Sequence, residues 1–211
     1  MKLRLTLVTL VLLAGSSALI AQTAKPYDLQ QLLKENKFTL FPPKPFPITD
    51  NGKQGIALSG VAWFKGVEFS TGTIELDLQG HDFFQNSFIG IAFHGVDSST
   101  YDVIYFRPFN FQAEDPIRKI HAVQYMTLPD FPWDKLRNEH NGIYEKAVNP
   151  APKATDWFHA RIDVSKTDIN VYVNNSLTPS LSVKKLNTRT NGKIGLWNEG
   201  LNGRFANLTI K

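Results

Sequence analysis

The 211-residue chain contains no cysteine. This absence excludes a disulfide scaffold, a cysteine-ligated zinc site and a cysteine nucleophile. Neither sign of charge is in clear excess, since the chain has 23 Lys and Arg and 19 Asp and Glu. Two of the 23 cations lie in the N-terminal segment described next. Because nucleic-acid binding usually requires a clear basic excess, we expect no nucleic-acid partner.

The first 21 residues have the three parts of a secretory signal. A basic start at residues 1–4 precedes an apolar run from Leu5 to Leu13, and small residues lead to Ala21. This run is shorter than the roughly 20 residues that span a bilayer. We predict cleavage after Ala21 and a periplasmic or secreted protein. No cysteine follows the run, so a lipid anchor on cysteine is excluded and no membrane anchor is expected.

Residues 22–55 are predicted to form a lead-in to the main domain, which occupies residues 56–211. A short helix is expected near Asp28 to Glu35, followed by a stretch with prolines at positions 42, 43, 45 and 47. Neither a helix nor a central strand tolerates that density of proline. This stretch should therefore wrap the edge of the domain.

From residue 72 onward, apolar and polar residues alternate with a period of two, which is the pattern of half-buried strands. The predicted strands cover residues 72–80, 87–95, 102–109, 120–126, 157–164, 169–174, 181–183, 193–197 and 204–210. So many short strands, with almost no helical period, predict an all-β, antiparallel two-sheet sandwich. Residues 127–152 interrupt the pattern with four prolines and a predicted helix at Trp133 to His140. A long, partly helical loop insertion of this kind often lines a binding site.

Seven segments, in order along the chain, carry a resemblance to a known fold family. They are GTIELDL from Gly72, FIGIAFHG from Phe88, YFRPFN from Tyr105, WFHARI from Trp157, VYVNN from Val171, KIGLW from Lys193 and FANLTI from Phe205. Over Ile56 to Lys211 the chain resembles the concanavalin A-like lectin/glucanase superfamily. Within that superfamily it is most similar to laminin-G-like domains and to the bacterial 3-keto-disaccharide hydrolase domain family.

The resemblance implies a jelly-roll sandwich whose concave sheet binds carbohydrate, so an oligosaccharide or glycoside is the expected partner. Family-16 glycosidases of this fold carry a Glu-x-Asp-x-Glu strand motif, and Glu75-Leu-Asp77-Leu-Gln79 matches its first two carboxylates. The third position is an amide, which cannot donate and recover a proton as a carboxyl group does. In the alternative interpretation, Glu75 and Asp77 only solvate an outer sheet face.

The 3-keto-disaccharide family implies a different reaction, in which a ketone at C3 acidifies the C2 hydrogen. A base such as His94 or His121 could then remove that proton while Arg107 or Tyr105 stabilises the enolate oxygen. This elimination does not require two paired carboxylates. The predicted catalytic residues are accordingly His94, His121, Arg107 and Glu75.

The other candidates are predicted to bind substrate, and they are Asp77, Tyr105, Asn110, Tyr125 and Trp133. Alternation places Glu75, Asp77, His94, Tyr105, Arg107, His121 and Tyr125 opposite the core as one polar field. Gly90 and Ala92, on the same side as His94, would leave a recess for a sugar ring. The alternative is a packed sheet face covered by residues 127–152, with the histidines serving only as hydrogen-bonding groups.

No cofactor is expected, because dinucleotide, phosphate-loop and nucleophile-elbow motifs are absent from the sequence. Laminin-G-like relatives can hold calcium at a loop rim, but no calcium ligands map onto this chain. Any metal ligands and the oligomeric state therefore stay unknown. Three functions therefore stay open. They are a glycoside-cleaving hydrolase or lyase, a non-catalytic carbohydrate-binding module, and a laminin-G-like protein-binding module.

Overall fold

The computed structural model describes residues 26–40 and 43–211. The predicted signal peptide lies outside the described residues. The elements, in chain order, are α1 (Leu29–Lys34), β1 (Phe38–Leu40), β2 (Phe46–Asp50), β3 (Lys53–Phe69), β4 (Gly72–Gln79), β5 (Ser87–Gly95), β6 (Tyr101–Phe106), a 3-10 turn (Pro108–Asn110), α2 (Pro116–Lys119), β7 (Val123–Leu128), α3 (Trp133–Glu139), β8 (Glu145–Lys146), β9 (Phe158–Val164), β10 (Asp168–Val173), β11 (Leu181–Lys184) and β12 (Gly192–Ile210).

The strands form two antiparallel sheets joined by two long, bent strands. The front sheet runs β8-β7-β6-β5, and the back sheet runs β11-β10-β9-β4. The first part of β12 pairs with β5 in the front sheet, and its last part pairs with β4 in the back sheet. The pairing of β12 with β3 shifts between Asn198 and Gly203, so both strands pass from one sheet to the other there. Strands β1 and β2 pair with β3 at its front and back ends.

The main core lies between the two sheets. Alternate residues of each strand point into it, as in β4, where Ile74, Leu76 and Leu78 are all fully buried. Phe106, Phe111 and Phe158 meet edge to face with ring centroids 5.0 to 6.4 Å apart. Burying such side chains supplies most of the driving force for folding. The two-layer architecture predicted from the sequence is confirmed.

A second apolar layer covers part of the outer face of the front sheet. Its buried members are Trp63, Ala92, Tyr101, Val103, Tyr105, Met126, Leu136 and Trp197. Leu136 belongs to α3, so the insertion after β7 packs onto this face. The remainder of the face stays open, and it forms the pocket described below.

The sequence predicted helices α1 and α3 correctly, but it did not predict the two long strands β3 and β12 as they are. Helix α1 forms where expected, and the Asp28 carboxylate caps it by accepting a bond of 2.9 Å from the Gln31 amide. Helix α3 also forms as predicted. The two strands expected at 193–197 and 204–210 are one bent strand, β12. Strand β3 was not predicted as a strand, because its burial alternation breaks where it changes sheets. No helix in the described ranges is long and apolar enough to cross a membrane.

His94 does not lie on the outer face that the alternation predicts. The register between β5 and β12 slips by one residue at Phe93 and His94, and His94 has a positive φ of 49°. Such a bulge breaks the period-two pattern. The imidazole is therefore turned inward, and none of it is exposed to solvent.

Inside the protein, His94 belongs to a buried ion network around Asp102. The His94 Nδ1 atom lies 2.8 Å from Asp102 Oδ2, and its Nε2 atom lies 2.6 Å from the Ser70 carbonyl oxygen. The other Asp102 oxygen accepts from Arg189 at 3.0 Å and from the Tyr125 hydroxyl at 3.1 Å. Both ring nitrogens of His94 therefore face a hydrogen-bonding oxygen of the protein, and neither is open to a substrate.

The outer face of the back sheet carries Glu75 and Asp77, and both are held by surface ion pairs. Glu75 accepts from the Lys211 ammonium at 2.8 Å. Asp77 accepts from Lys53 at 2.6 Å, from Asn207 at 2.7 Å and from His159 Nδ1 at 2.9 Å. Both carboxylates thus have protein partners on the outer face of the back sheet. This arrangement favours a structural role for Glu75 and Asp77 over a catalytic one.

Asp77 makes the stability of the domain sensitive to acid. Burial by itself would raise the pKa of the Asp77 carboxyl group, but hydrogen bonds from His159, Lys53 and Asn207 lower it from 3.8 to about 2. A carboxyl group with a lowered pKa stabilises the fold above its unfolded pKa, and this contribution is lost as the pH falls toward the folded pKa.

We therefore expect Asp77→Asn to lower the free energy of unfolding near neutral pH by about 1–2 kcal/mol. Denaturant unfolding of the wild type and the variant, followed from neutral pH down to about pH 2, measures the difference. The two curves should converge as the pH falls below about 4, where the wild-type carboxyl group begins to lose its advantage. A difference that stays constant over the whole range would contradict the assignment.

Candidate functional site

A pocket of about 420 Å³ opens on the outer face of the front sheet, which is within the usual size range for small-ligand sites. Strands β5, β6, β7 and β12 form its floor, and the segments around α2 and α3 form its walls. Six aromatic residues line it, namely Phe84, Phe88, Tyr105, Phe109, Trp133 and Trp197. The charged or ionisable residues of the lining are Arg107, Arg118, His121, Arg137 and Glu199. Aromatic faces with convergent polar groups suit a ligand that has both apolar faces and hydroxyl groups.

Five of the nine residues predicted from the sequence line this pocket. They are Tyr105, Arg107, Asn110, His121 and Trp133. The structure does not bring the other four to it. His94 and Tyr125 lie in the interior, and Glu75 and Asp77 lie on the outer face of the back sheet.

The expectation of one shared polar field is therefore wrong for these four residues, for physical reasons that differ between them. The bulge in β5 turns His94 inward. Strand β7 begins only at Val123, so the alternation does not extend to His121, and Tyr125 packs in the core with Val123. Glu75 and Asp77 belong to the other sheet.

The predicted recess at Gly90 is also wrong. A Cβ atom at this position would lie 2.0 Å from the Ile104 carbonyl oxygen. The small residue is required because the neighbouring strand β6 approaches closely, and it leaves no space for a sugar. Ala92 is buried in the second apolar layer. The covered face and the open site thus coexist, since α3 covers one part and the pocket occupies the other.

His121 is held at both ends. Its carbonyl oxygen accepts from Arg107 Nη1 at 3.0 Å and from Asn110 Nδ2 at 3.1 Å. Its ring Nδ1 atom lies 2.8 Å from Oε1 of Glu145, although not in the alignment of a hydrogen bond. A carboxylate oxygen this close favours the tautomer that carries its proton on Nδ1. The Nε2 atom then carries the free lone pair, and no residue of the described chain hydrogen bonds to it.

Glu145 is the acidic centre of the site. Its carboxylate is 2% exposed and contacts His121, Arg107 and Arg137. Arg137 binds it with two bonds, from Nε at 3.0 Å and from Nη2 at 2.8 Å. Burial by itself would raise the pKa of the Glu145 carboxyl group, but the bonds from Arg137 and the positive charges of Arg137 and Arg107 lower it. Glu145 is therefore ionised at neutral pH.

Burial keeps His121 neutral. It lowers the pKa of the imidazole, and the positive charge of Arg137 acts in the same direction, while Glu145 opposes both. The net effect is a pKa below the usual value of 6.5. A neutral imidazole with a free Nε2 lone pair, oriented by a carboxylate, is a general base.

Arg107 and Tyr105 support this base, and both Nη atoms of Arg107 and the Tyr105 hydroxyl are engaged in hydrogen bonds. The two Nη atoms of Arg107 donate to the His121 carbonyl, Glu145, Gln124 and the Tyr105 hydroxyl. The Tyr105 hydroxyl in turn donates to Gln124 Oε1 at 2.6 Å. Burial raises the pKa of Tyr105, so it stays a neutral phenol. Arg107 therefore contributes fixed positive charge to the pocket.

Asn110 is also a positioning residue, whereas Trp133 is open to a ligand. The Asn110 amide donates to the His121 carbonyl and accepts from Arg118 Nε at 3.2 Å. Trp133 is 48% exposed at the start of α3, and the guanidinium of Arg137 lies 5.0 Å from its ring centroid. An exposed indole on a pocket wall can stack against the apolar face of a sugar ring.

Glu145, Arg137, Gln124 and Arg118 were not predicted from the sequence. Glu145 and Arg137 lie in the insertion that was predicted to line a binding site, so their region was found but not their roles. No local motif marks them, because they meet His121 and Arg107 only through the pairing of β7 with β8 and the docking of α3. Within the described residues, no group of three or more His, Asp or Glu side chains is placed to hold a metal ion.

The pattern of the 3-keto-alpha-glucoside-1,2-lyase-like domain family matches residues 49–211. The chain belongs to this family. No curated protein sequence matches it. The match covers every strand from β3 to β12 together with the pocket. The protein is thus a carbohydrate-related β-sandwich domain, as the resemblance in its sequence implied.

Solved structures share the fold of this family member at low sequence identity. A carbohydrate-binding module, CBM66 from Bacillus subtilis, is 12% identical with a TM-score of 0.51, covering 78% of this chain and 90% of that one. A beta-glucanase from Bacillus licheniformis is 16% identical with a TM-score of 0.45, covering 82% and 80%. A glycoside hydrolase family 16 endo-glucanase from Bacteroides ovatus is 8% identical with a TM-score of 0.47, covering 81% and 86%. The similarity to CBM66 concerns the fold alone.

Proposed function

We propose that this protein is a lyase that cleaves 3-keto-glycosides, with His121 as the base. The observation that supports the proposal is a neutral imidazole in an aromatic pocket, with Nδ1 oriented by Glu145 and Nε2 free. The family to which the chain belongs supports the substrate class. The signal-like residues 1–21 support export as part of the same proposal.

The reaction follows from the acidity of the proton next to the ketone. His121 Nε2 removes the proton from C2, and the electron pair of that C–H bond moves onto the ketone oxygen to form an enolate. As the enolate returns to the ketone, its electron pair forms the C1–C2 double bond and the bond from C1 to the glycosidic oxygen breaks. The proton on the imidazolium is then available to the leaving alkoxide. The products are an unsaturated 3-keto sugar and an alcohol, so no water is consumed.

The charges of the pocket suit the enolate intermediate. Its negative charge would develop within a wall that contains the guanidinium groups of Arg107 and Arg137. Fixed positive charge in a partly dehydrated site stabilises an oxyanion more than it would in water. Arg137 Nη1 has no hydrogen-bond partner in residues 26–40 and 43–211, so it is available to donate to substrate. This assignment replaces the expected donation by Tyr105 or Arg107, whose Nη and hydroxyl donors are already engaged.

The proposal is tested by incubating the protein with a panel of glucosides, each in its native and its 3-oxidised form, and analysing the products by mass spectrometry. We expect the oxidised forms to yield the free alcohol and an unsaturated ketosugar, and the native forms to stay intact. Cleavage of native glycosides with uptake of water would indicate hydrolysis and overturn the proposal. Binding of the sugars without any product would show a carbohydrate-binding module instead, which the six aromatic residues of the lining would also allow.

A further inference from the structure

A second, polar cavity of about 430 Å³ adjoins the pocket. The two cavities share two residues of their lining, Phe109 and Arg118. The rest of the lining of the second cavity consists of four polar side chains and three small apolar ones, namely Asp82, Gln112, Lys153 and Thr155, and Pro108, Ala113 and Ala154. An aromatic compartment thus opens beside a polar one, and a single guanidinium stands at the boundary.

Arg118 is fixed at this boundary by the protein. Its Nε atom donates to Asn110 Oδ1 at 3.2 Å, and its Nη2 atom donates to the Phe109 carbonyl oxygen at 2.8 Å. The guanidinium also lies 4.5 Å from the ring centroid of Phe84. Three independent contacts therefore hold a side chain that would otherwise have many rotamers.

Arg118 nevertheless keeps a free charge. No carboxylate of the described residues lies within ion-pair distance of it, whereas Arg107 and Arg137 are both paired with Glu145. Its Nη1 atom has no hydrogen-bond partner in residues 26–40 and 43–211. A positioned, uncompensated donor of this kind is suited to negative charge that develops on a ligand.

We propose that the polar cavity is the subsite for the leaving alcohol and that Arg118 binds the departing glycosidic oxygen. This inference rests on the proposed function, because it assigns the two halves of a glycoside to the two compartments. The ketosugar lies in the aromatic pocket beside His121, and a hydroxyl-rich aglycone lies in the polar cavity. The bond that breaks then lies at the boundary, where Arg118 Nη1 stabilises the alkoxide until it is protonated.

The test varies the leaving group. A 4-nitrophenyl 3-keto-glucoside releases a phenolate, which is stable without a hydrogen bond from the protein. A methyl 3-keto-glucoside and a 3-keto-disaccharide release alkoxides, which are not. We expect Arg118→Gln to reduce kcat/KM about 100-fold for the two alkoxide substrates, the usual cost of removing one oxyanion donor, and only a few-fold for the nitrophenyl substrate. Arg118→Lys, which keeps the charge, should recover part of the loss.

A second variant tests the cavity independently of the leaving oxygen. Lys153→Ala should raise KM for the 3-keto-disaccharide about 3- to 10-fold and leave the methyl 3-keto-glucoside unchanged, because only the disaccharide reaches into the polar cavity. Lys119→Gln, an exposed neighbour of Arg118 outside both cavities, is the matched control and should change neither substrate. Thermal unfolding of each variant verifies that the fold is intact.

The outcomes separate this inference from the function on which it rests. If the wild-type protein cleaves none of the three substrates, the proposed function is wrong. If the wild type cleaves all three and Arg118→Gln slows them equally, the proposed function stands and the role of Arg118 is overturned. If Lys153→Ala affects the methyl and disaccharide substrates alike, the polar cavity is not the subsite for the leaving alcohol.

Discussion

Replacing His121 with glutamine is expected to lower the rate of 3-keto-glycoside cleavage by about 10²–10⁴-fold, which is the usual contribution of a general base. Glutamine keeps a polar side chain of similar length but cannot take up a proton at neutral pH. The hydrogen bonds from the Arg107 and Asn110 side chains to the backbone carbonyl of residue 121 should persist, because they do not involve the side chain of residue 121. Steady-state kinetics of the purified variant measure the effect.

The pH profile should carry the signature of the same residue. Because burial lowers the pKa of His121, the base stays unprotonated to lower pH than a free histidine. The acidic limb of the kcat/KM profile should therefore have its midpoint below the usual value of about 6.5. His159→Gln, on the outer face of the back sheet, is the matched control and should leave the rate per folded molecule unchanged. A variant at His121 that retains full activity would exclude the proposed base.

Replacing Asp102 with asparagine is expected to destabilise the protein by about 3–5 kcal/mol, which is the cost of leaving buried charges without their partner. Asp102 is completely buried and contacts both the His94 imidazole and the Arg189 guanidinium. Burial by itself would raise the pKa of the Asp102 carboxyl group, but the bond from His94 and the charge of Arg189 lower it. The carboxylate is thus ionised, and the amide cannot replace its charge.

Chemical denaturation measures this loss, which is a large share of the 5–15 kcal/mol that a typical domain has. Asp168→Asn is a matched control, because Asp168 forms an ion pair with the largely exposed Lys184 on the surface. It should leave the unfolding midpoint almost unchanged. An Asp102→Asn protein as stable as this control would show that the buried network contributes little. If the variant does not fold, Asp102→Glu, which keeps the charge, should fold and retain part of the stability.

The sequence predicted the parts of this protein that depend on local pattern. Strands β4 and β5 were predicted to within one residue, because large apolar residues alternate with polar or small ones along most of each strand. The same held for α1 and α3, which have defined starts at Asp28 and Pro132. Five of the nine site residues were also found, since Tyr105, Arg107, Asn110, His121 and Trp133 are polar or aromatic groups near strand ends and in the insertion.

What the sequence could not provide is the set of contacts between distant segments. Glu75 and Asp77 lie away from the pocket because β4 belongs to the back sheet. Strand β12 pairs with β5 of the front sheet by its first part and with β4 by its last part, and the sequence does not show this crossing. Only one extra residue in β5 turns His94 from the predicted surface into the core, because a period-two argument cannot detect a bulge.

The sequence by itself therefore determined the jelly-roll class, the family and the presence of a polar site near the insertion. The tertiary structure decided which histidine is available as a base. Burial and two hydrogen-bonding oxygens engage His94, whereas His121 lines the pocket with Nδ1 beside Glu145 of β8 and without a bond to Nε2. The physical reason is that alternation and local propensity act between near neighbours in the chain, while charge pairing and solvent access depend on residues that meet only after folding.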